Sequence, residues 1–109
     1  MSYSISTTGR FEKQIKKLIK KFPSLKDEYA ALITTLKENP FYGTPLGNNC
    51  YKVRLGISSK GVGKSGGARV ITHIHVADNI IYLLTIYDKS EQNNITNEEI
   101  LKLLADLKQ

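Results

Sequence analysis

Between Pro40 and Lys52 the spacing of apolar residues changes from a helical period to a period of two, and that change limits the fold more than any other feature. Before it, Phe11, Ile15, Leu18, Ile19 and Phe22 recur at helical spacing, as do Leu25, Tyr29, Leu32, Ile33 and Leu36. Stripes of this kind bury one face of an amphipathic helix. Lys13, Lys16, Lys17, Lys20 and Lys21 fill the opposite face of the first helix, an ordinary polar surface with no specific role assigned. Pro23 stops the first helix and Asn39-Pro40 the second. Ser24 with Asp27 three residues later reads as a capping box. Two helices joined this closely predict an antiparallel hairpin.

After Pro40 the period becomes two. The stretch Pro40 to Asn49 reads as a loop, punctuated by Pro40, Gly43, Pro45 and Gly47. Lys52, Val53, Arg54 and Leu55 alternate basic with apolar, a strand signature. Ser58 to Gly67 holds four glycines and two lysines and reads as a flexible loop. Ala68 to Ala77 reads as a strand, Asp78-Asn79 as a turn, and Ile80 to Tyr87 as a strand apolar on both faces. Ser2 to Thr7 reads as a short opening strand. Thr96 with Glu99 forms a second capping-box pattern, followed by Ile100, Leu103, Leu104 and Leu107 on one helix face. The expected class is α+β in the order β-α-α-β-β-β-α. An antiparallel sheet carries the helix hairpin on one face and a short C-terminal helix near the other.

A chain of 109 residues fits one domain, 1–109. A single cysteine, Cys50, excludes an internal disulfide framework and a thiolate-rich zinc site. No run approaches the 18 apolar residues of a membrane-spanning helix, and Met1 to Arg10 lacks the order of a signal peptide. The expectation is a cytoplasmic protein with no membrane partner.

The formal net charge is +6, and its distribution says more than its size. No Asp or Glu lies between Glu38 and Asp78, whereas Lys52, Arg54, Lys60, Lys64 and Arg69 all do. Cations gathered without acids repel one another, so the cluster points to an anionic ligand. Lys52 and Arg54 share a strand face, as do Tyr87 and Lys89. The turn at Asp78-Asn79 returns Tyr87 and Lys89 towards Arg69. Cations with one aromatic ring suit a phosphodiester strand carrying an unstacked base. The register matters here. A two-residue turn would pair Ala77 with Ile80 and set Arg69 opposite Asp88, leaving Tyr87 and Lys89 on the other face. A convergent site therefore requires an odd-numbered loop or a bulge between Arg69 and Tyr87.

Other motifs are weaker. Gly61-Val62-Gly63-Lys64-Ser65 invites a phosphate-loop reading. That pattern needs glycine where Ser58 stands, and a helix directly afterwards where a strand is expected. His73 and His75 share a strand face, but only Asp78 offers a third ligand, so no metal or other cofactor is expected. No Ser-His-Asp set and no paired carboxylates are visible. Any chemistry must run on cations and a tyrosine. RNA suits such a site, because its 2′-hydroxyl is its own nucleophile. Arg and Lys stabilise the phosphorane, and a lysine held among other cations gives up its proton more readily.

Three segments resemble a known family. Cys50-Tyr51-Lys52-Val53-Arg54-Leu55 resembles the catalytic strand of RelE toxins. Gly61 to Ile71 is similar to the G-x-G-K-x-G-G-x-R segment of the HigB-like group, and Leu83 to Glu91 to its closing L-L-T-I-Y-x-K-x-E. The likeness covers nearly the whole chain. It implies the RelE/ParE fold and an endoribonuclease toxin that cuts mRNA in the ribosomal A site by 2′-hydroxyl attack. It also implies a co-encoded antitoxin, often of the helix-turn-helix type. Lys52, Arg54, Arg69 and Lys89 match the family's basic active-site positions, and Lys60 and Lys64 its basic loop, taken as RNA-binding. Tyr87 is the candidate aromatic. RelE itself carries its key tyrosine later, in the final helix, where this chain has none, and has an arginine where Lys89 stands. A lysine does not make the same bidentate contact. The ParE branch, which inhibits gyrase by binding, and a non-catalytic or decayed RNA-binding toxin domain are the alternatives. The set Lys52, Arg54 and Arg69 argues against ParE.

Overall fold

The computed structural model describes residues 3–61 and 66–107. Its elements run β1 (Ser4–Thr7), α1 (Gly9–Lys21), α2 (Leu25–Glu38), β2 (Thr44–Gly47), β3 (Cys50–Leu55), β4 (Ala68–His75), β5 (Ile80–Asp88) and α3 (Asn97–Leu107). The sheet order is β1-β5-β4-β3-β2. β2 to β5 pair antiparallel, which for β3, β4 and β5 is what the period-two segments lead one to expect. β1 joins the outer side of β5 in parallel, so the sheet is mixed.

The stretch expected to be a loop contains the extra strand β2. Asn48 and Asn49 turn it back into β3 with φ of 54° and 59°. Two central residues at positive φ are what a tight type I′ hairpin requires, and asparagine tolerates them. β4 ends at His75, and Val76–Asp78 form a single 3₁₀ turn closed by Asn79 at φ 54°.

Alternation divides the sheet into two faces. Val53, Val70, Ile74, Ile81, Leu83 and Ile86 point to one and bury against Phe11, Ile15, Leu25, Leu32 and Leu36 of the helix hairpin. Cys50, Ile71, Leu84 and Tyr87 point to the other and bury against Ile100 and Leu103 of α3. β5 is covered on both sides, as its unbroken apolar run requires.

Caps set the helix starts. Thr8 caps α1, its Oγ1 accepting from the Phe11 N–H at 3.1 Å. α3 starts on the expected capping box: the Glu99 N–H donates to Thr96 Oγ1 and the Thr96 N–H to Glu99 Oε1, both at 3.1 Å. Ser24 does not cap α2. Its backbone is helical and its hydroxyl is drawn away to Glu28 at 3.1 Å and Ser59 at 2.8 Å. No helix among the described residues is long and apolar enough to cross a membrane.

Candidate functional site

Arg54, Arg69 and Tyr87 stand directly opposite one another across β3, β4 and β5. Residues so paired point to the same face, here the one that carries α3. Lys52 lies two residues before Arg54, on that face, opposite Ile71. Like charges directly opposite one another destabilise a strand pair, so Arg54 beside Arg69 is not there for stability.

The convergence depends on a bulge. His75 pairs with Ile80 around four connecting residues, an even number, which by itself sends Arg69 and Tyr87 to opposite faces. The register then shifts: Thr72 pairs with Leu83 but Ile71 with Thr85, so Leu84 is the extra residue. The required break in register therefore exists, and it is a bulge. The cap residue of α1 and a side chain within the helix support it beyond the end of β1. Thr8 Oγ1 donates to the Leu84 carbonyl at 3.1 Å. Gln14 Oε1 accepts from the Ile86 N–H at 3.1 Å and from Thr85 Oγ1 at 2.8 Å. Sequence reasoning missed both residues. Thr8 follows a strand and precedes a helix, a usable signal, but nothing local marks Gln14.

Accessibility grades across the row. Arg54 is exposed and Lys52 half-buried. Arg69 and Tyr87 are 4% and 7% exposed. Burial lowers the Arg69 pKa, the Arg54 charge lowers it further, and Tyr87 opposes the shift. A guanidinium stays charged under such pressure. The Arg69 Nη1 donates to the Ala68 carbonyl at 3.1 Å. Burial raises the Tyr87 phenol above its usual value; Arg69 pulls it down and Glu99 pushes it up. The hydroxyl is buried without a hydrogen-bond partner among the described residues. Tyr87 is therefore a neutral phenol, a proton donor rather than a base.

Lys89 extends the ladder past β5, its N–H donating to the Gly67 carbonyl at 2.9 Å. Its ammonium holds Asn93 Oδ1 at 2.6 Å, in the connection to α3. Gly67 sits so tightly between strands that an added Cβ would lie 2.1 Å from the Leu55 carbonyl oxygen. Lys60, expected in an RNA-binding loop, is held by partners within the chain. Its ammonium pairs with the buried Asp88 carboxylate. Lys64 lies outside the described residues.

His73 and His75 lie at the far end of β4 from Arg69. His73 Nδ1 is 3.6 Å from Cys50 Sγ, and His75 Nδ1 is 3.0 Å from Asp78 Oδ2. Burial pushes the Cys50 thiol up to about 11, so it is not a nucleophile. Among the described residues no three His, Cys, Asp or Glu side chains gather as metal ligands do.

The family model for the RelE toxin of RelE/RelB toxin–antitoxin systems matches residues 8–107. This chain belongs to the RelE toxin family. Solved structures agree on the fold. A double mutant of the Escherichia coli toxin RelE in the free state superposes with a TM-score of 0.63 at 17% identity, covering 85% of this chain and 90% of that one. The solution structure of the conserved hypothetical protein HP0892 from Helicobacter pylori gives 0.54 at 20% identity, covering 82% and 97%. As a member of the RelE toxin family, the chain is a toxin of a toxin–antitoxin system.

Proposed function

We propose that this RelE-family toxin is a ribosome-dependent, metal-independent endoribonuclease of the HigB-like branch that acts in the cytoplasm and cuts mRNA in the A site. The observation that carries the reading is the cross-strand row: two arginines directly opposite each other on adjacent strands and a neutral phenol opposite the second, with Lys52 on the same face. Two cations held together in this way favour a group whose negative charge increases along the reaction.

In the reaction proposed, the 2′-oxygen of one nucleotide bonds to the adjacent phosphorus while the bond from phosphorus to the 5′-oxygen breaks. The 2′-hydroxyl proton leaves to a base, and the departing 5′-oxygen takes one up. The products are a 2′,3′-cyclic phosphate and a 5′-hydroxyl. Arg54 and Arg69 stabilise the phosphorane. Lys52 and Lys89 are the proton carriers, and Tyr87 donates to the substrate or stacks on a base. Arg69 and Tyr87 are covered in the free chain, so substrate engagement requires the surface above them to give way. Ribosome and mRNA are the substrate complex. A co-encoded antitoxin, of helix-turn-helix type, is the restraining partner.

The test is Arg69→Ala in a translating extract. Cleavage should fall by about 10²–10³, the cost of removing one charge-stabilising donor, and growth arrest should disappear, with the variant still melting cooperatively. Translation-coupled cleavage at the wild-type rate would remove Arg69 from the mechanism.

A further inference from the structure

The half-buried Lys60 and the buried Asp88 form an ion pair that the row on the α3 face does not use. Their side chains are 16% and 1% exposed. The Lys60 ammonium also donates to the Gly66 carbonyl at 3.0 Å and to Ser90 Oγ at 3.2 Å. Ser90 returns two bonds to Asp88 Oδ1, from its N–H at 2.9 Å and its hydroxyl at 2.8 Å. The ammonium lies 5.6 Å from the centre of the Phe22 ring, at the end of α1. It is therefore on the helix-hairpin side of the sheet, across from Arg54, Arg69 and Tyr87. The sheet separates a cation there from a phosphate held by those three.

Its partners show what it does instead. Asp88 sits between Tyr87 and Lys89 along β5 and opposite Ala68, the residue before Arg69. One ammonium ties this point to residue 60, which carries it, and to the carbonyl of residue 66, both within the glycine-rich connection between β3 and β4. Glu28 fixes the near end again, its Oε2 accepting from the Ser58 N–H at 2.7 Å and the Ser58 hydroxyl at 2.8 Å.

We propose that Lys60 and Asp88 are positioning residues: a clamp behind the sheet that holds the strand ends carrying Arg69, Tyr87 and Lys89 in register for RNA cleavage, without touching RNA. The inference rests on the proposed nuclease function. Misplacing a reacting group by an ångström costs on the order of 10²-fold in rate, whereas losing a phosphate contact weakens binding and its dependence on salt.

The experiment uses ribosomes programmed with mRNA and measures two quantities for each variant, the Kd across a salt series and the single-turnover cleavage rate. Wild-type cleavage is read first; uncut mRNA there overturns the nuclease reading and the clamp with it. Given wild-type cutting, Lys60→Gln should lose at least about ten-fold in rate, with Kd and salt slope unchanged. Lys60→Arg, which restores the cation, should recover most of the rate. A salt slope shallower by about 0.7, the value of one single-strand phosphate contact, makes Lys60 an RNA ligand and overturns the clamp. So does a Lys60→Gln rate equal to wild type. If Lys60→Gln does not fold, Asp88→Asn keeps the Ser90 bonds and removes the charge. It should show the same loss of rate at unchanged Kd, and a wild-type rate there overturns the proposal.

Discussion

Asp88 and His73 are pushed the same way by different forces, and the acid behaviour of the chain follows from both. Burial alone would raise the Asp88 carboxyl. The bonds from Lys60 and Ser90 outweigh it and hold the group below its usual 3.8. A depressed carboxyl contributes stability above its unfolded value, lost as pH falls through the folded one. His73 is lowered from 6.5 mainly by burial, with the neighbouring His75 adding to this and carbonyls of Asn48 and Asn49 opposing it. Folding therefore favours its neutral form, so its contribution is present above 6.5 and is lost as pH falls below that. Urea midpoints across pH should decline in two limbs, one below 6.5 and one below 3.8. His73→Gln should flatten the upper limb and Asp88→Asn the lower. An upper limb that persists in His73→Gln would place its origin elsewhere. Neither shift is legible in the sequence. The His73 shift depends on burial by tertiary packing, and that of Asp88 on a lysine 28 positions away.

At the scale of elements, the change of period located α1, α2, β3, β4, β5 and α3, because burial on one face enforces spacing in the sequence. β2 escaped because four residues carrying a proline and a glycine make no periodic pattern; Asn48-Asn49 was the available signal. The parallel seat of β1 escaped because pairing between residues 4 and 80 is a tertiary fact. The bulge at Leu84 was legible only as a requirement, since no glycine or proline marks it. Its cause lies in α1, where Gln14 satisfies the backbone N–H of Ile86 and the hydroxyl of Thr85. Gln14→Leu should leave those buried donors unpaired, at about 1–3 kcal/mol, measured by denaturant unfolding. It should also slow cleavage, because the bulge sets Tyr87 beside Arg69. Full stability together with wild-type cleavage would mean the bulge holds without Gln14.

The molecule as a whole is two-sided. The helix hairpin takes the larger apolar face of the sheet, leaving the smaller face to α3 and the cationic row. The acid-free span from Glu38 to Asp78 was the clearest sequence pointer to that row, and Lys52, Arg54 and Arg69 within it do meet on one face. Lys60, from the same span, turned to the other face because a buried carboxylate waits there, which charge counting along the chain does not reveal. The chemistry proposed for this row is written in the ends of the cut RNA. Ribosomes stalled with a defined A-site codon are treated with the toxin and the mRNA fragments are characterised at both new ends. The expected result is a cut within that codon, leaving a 2′,3′-cyclic phosphate on one fragment and a 5′-hydroxyl on the other, with chelator making no difference. Intact mRNA, or fragments bearing a 5′-phosphate, would contradict it.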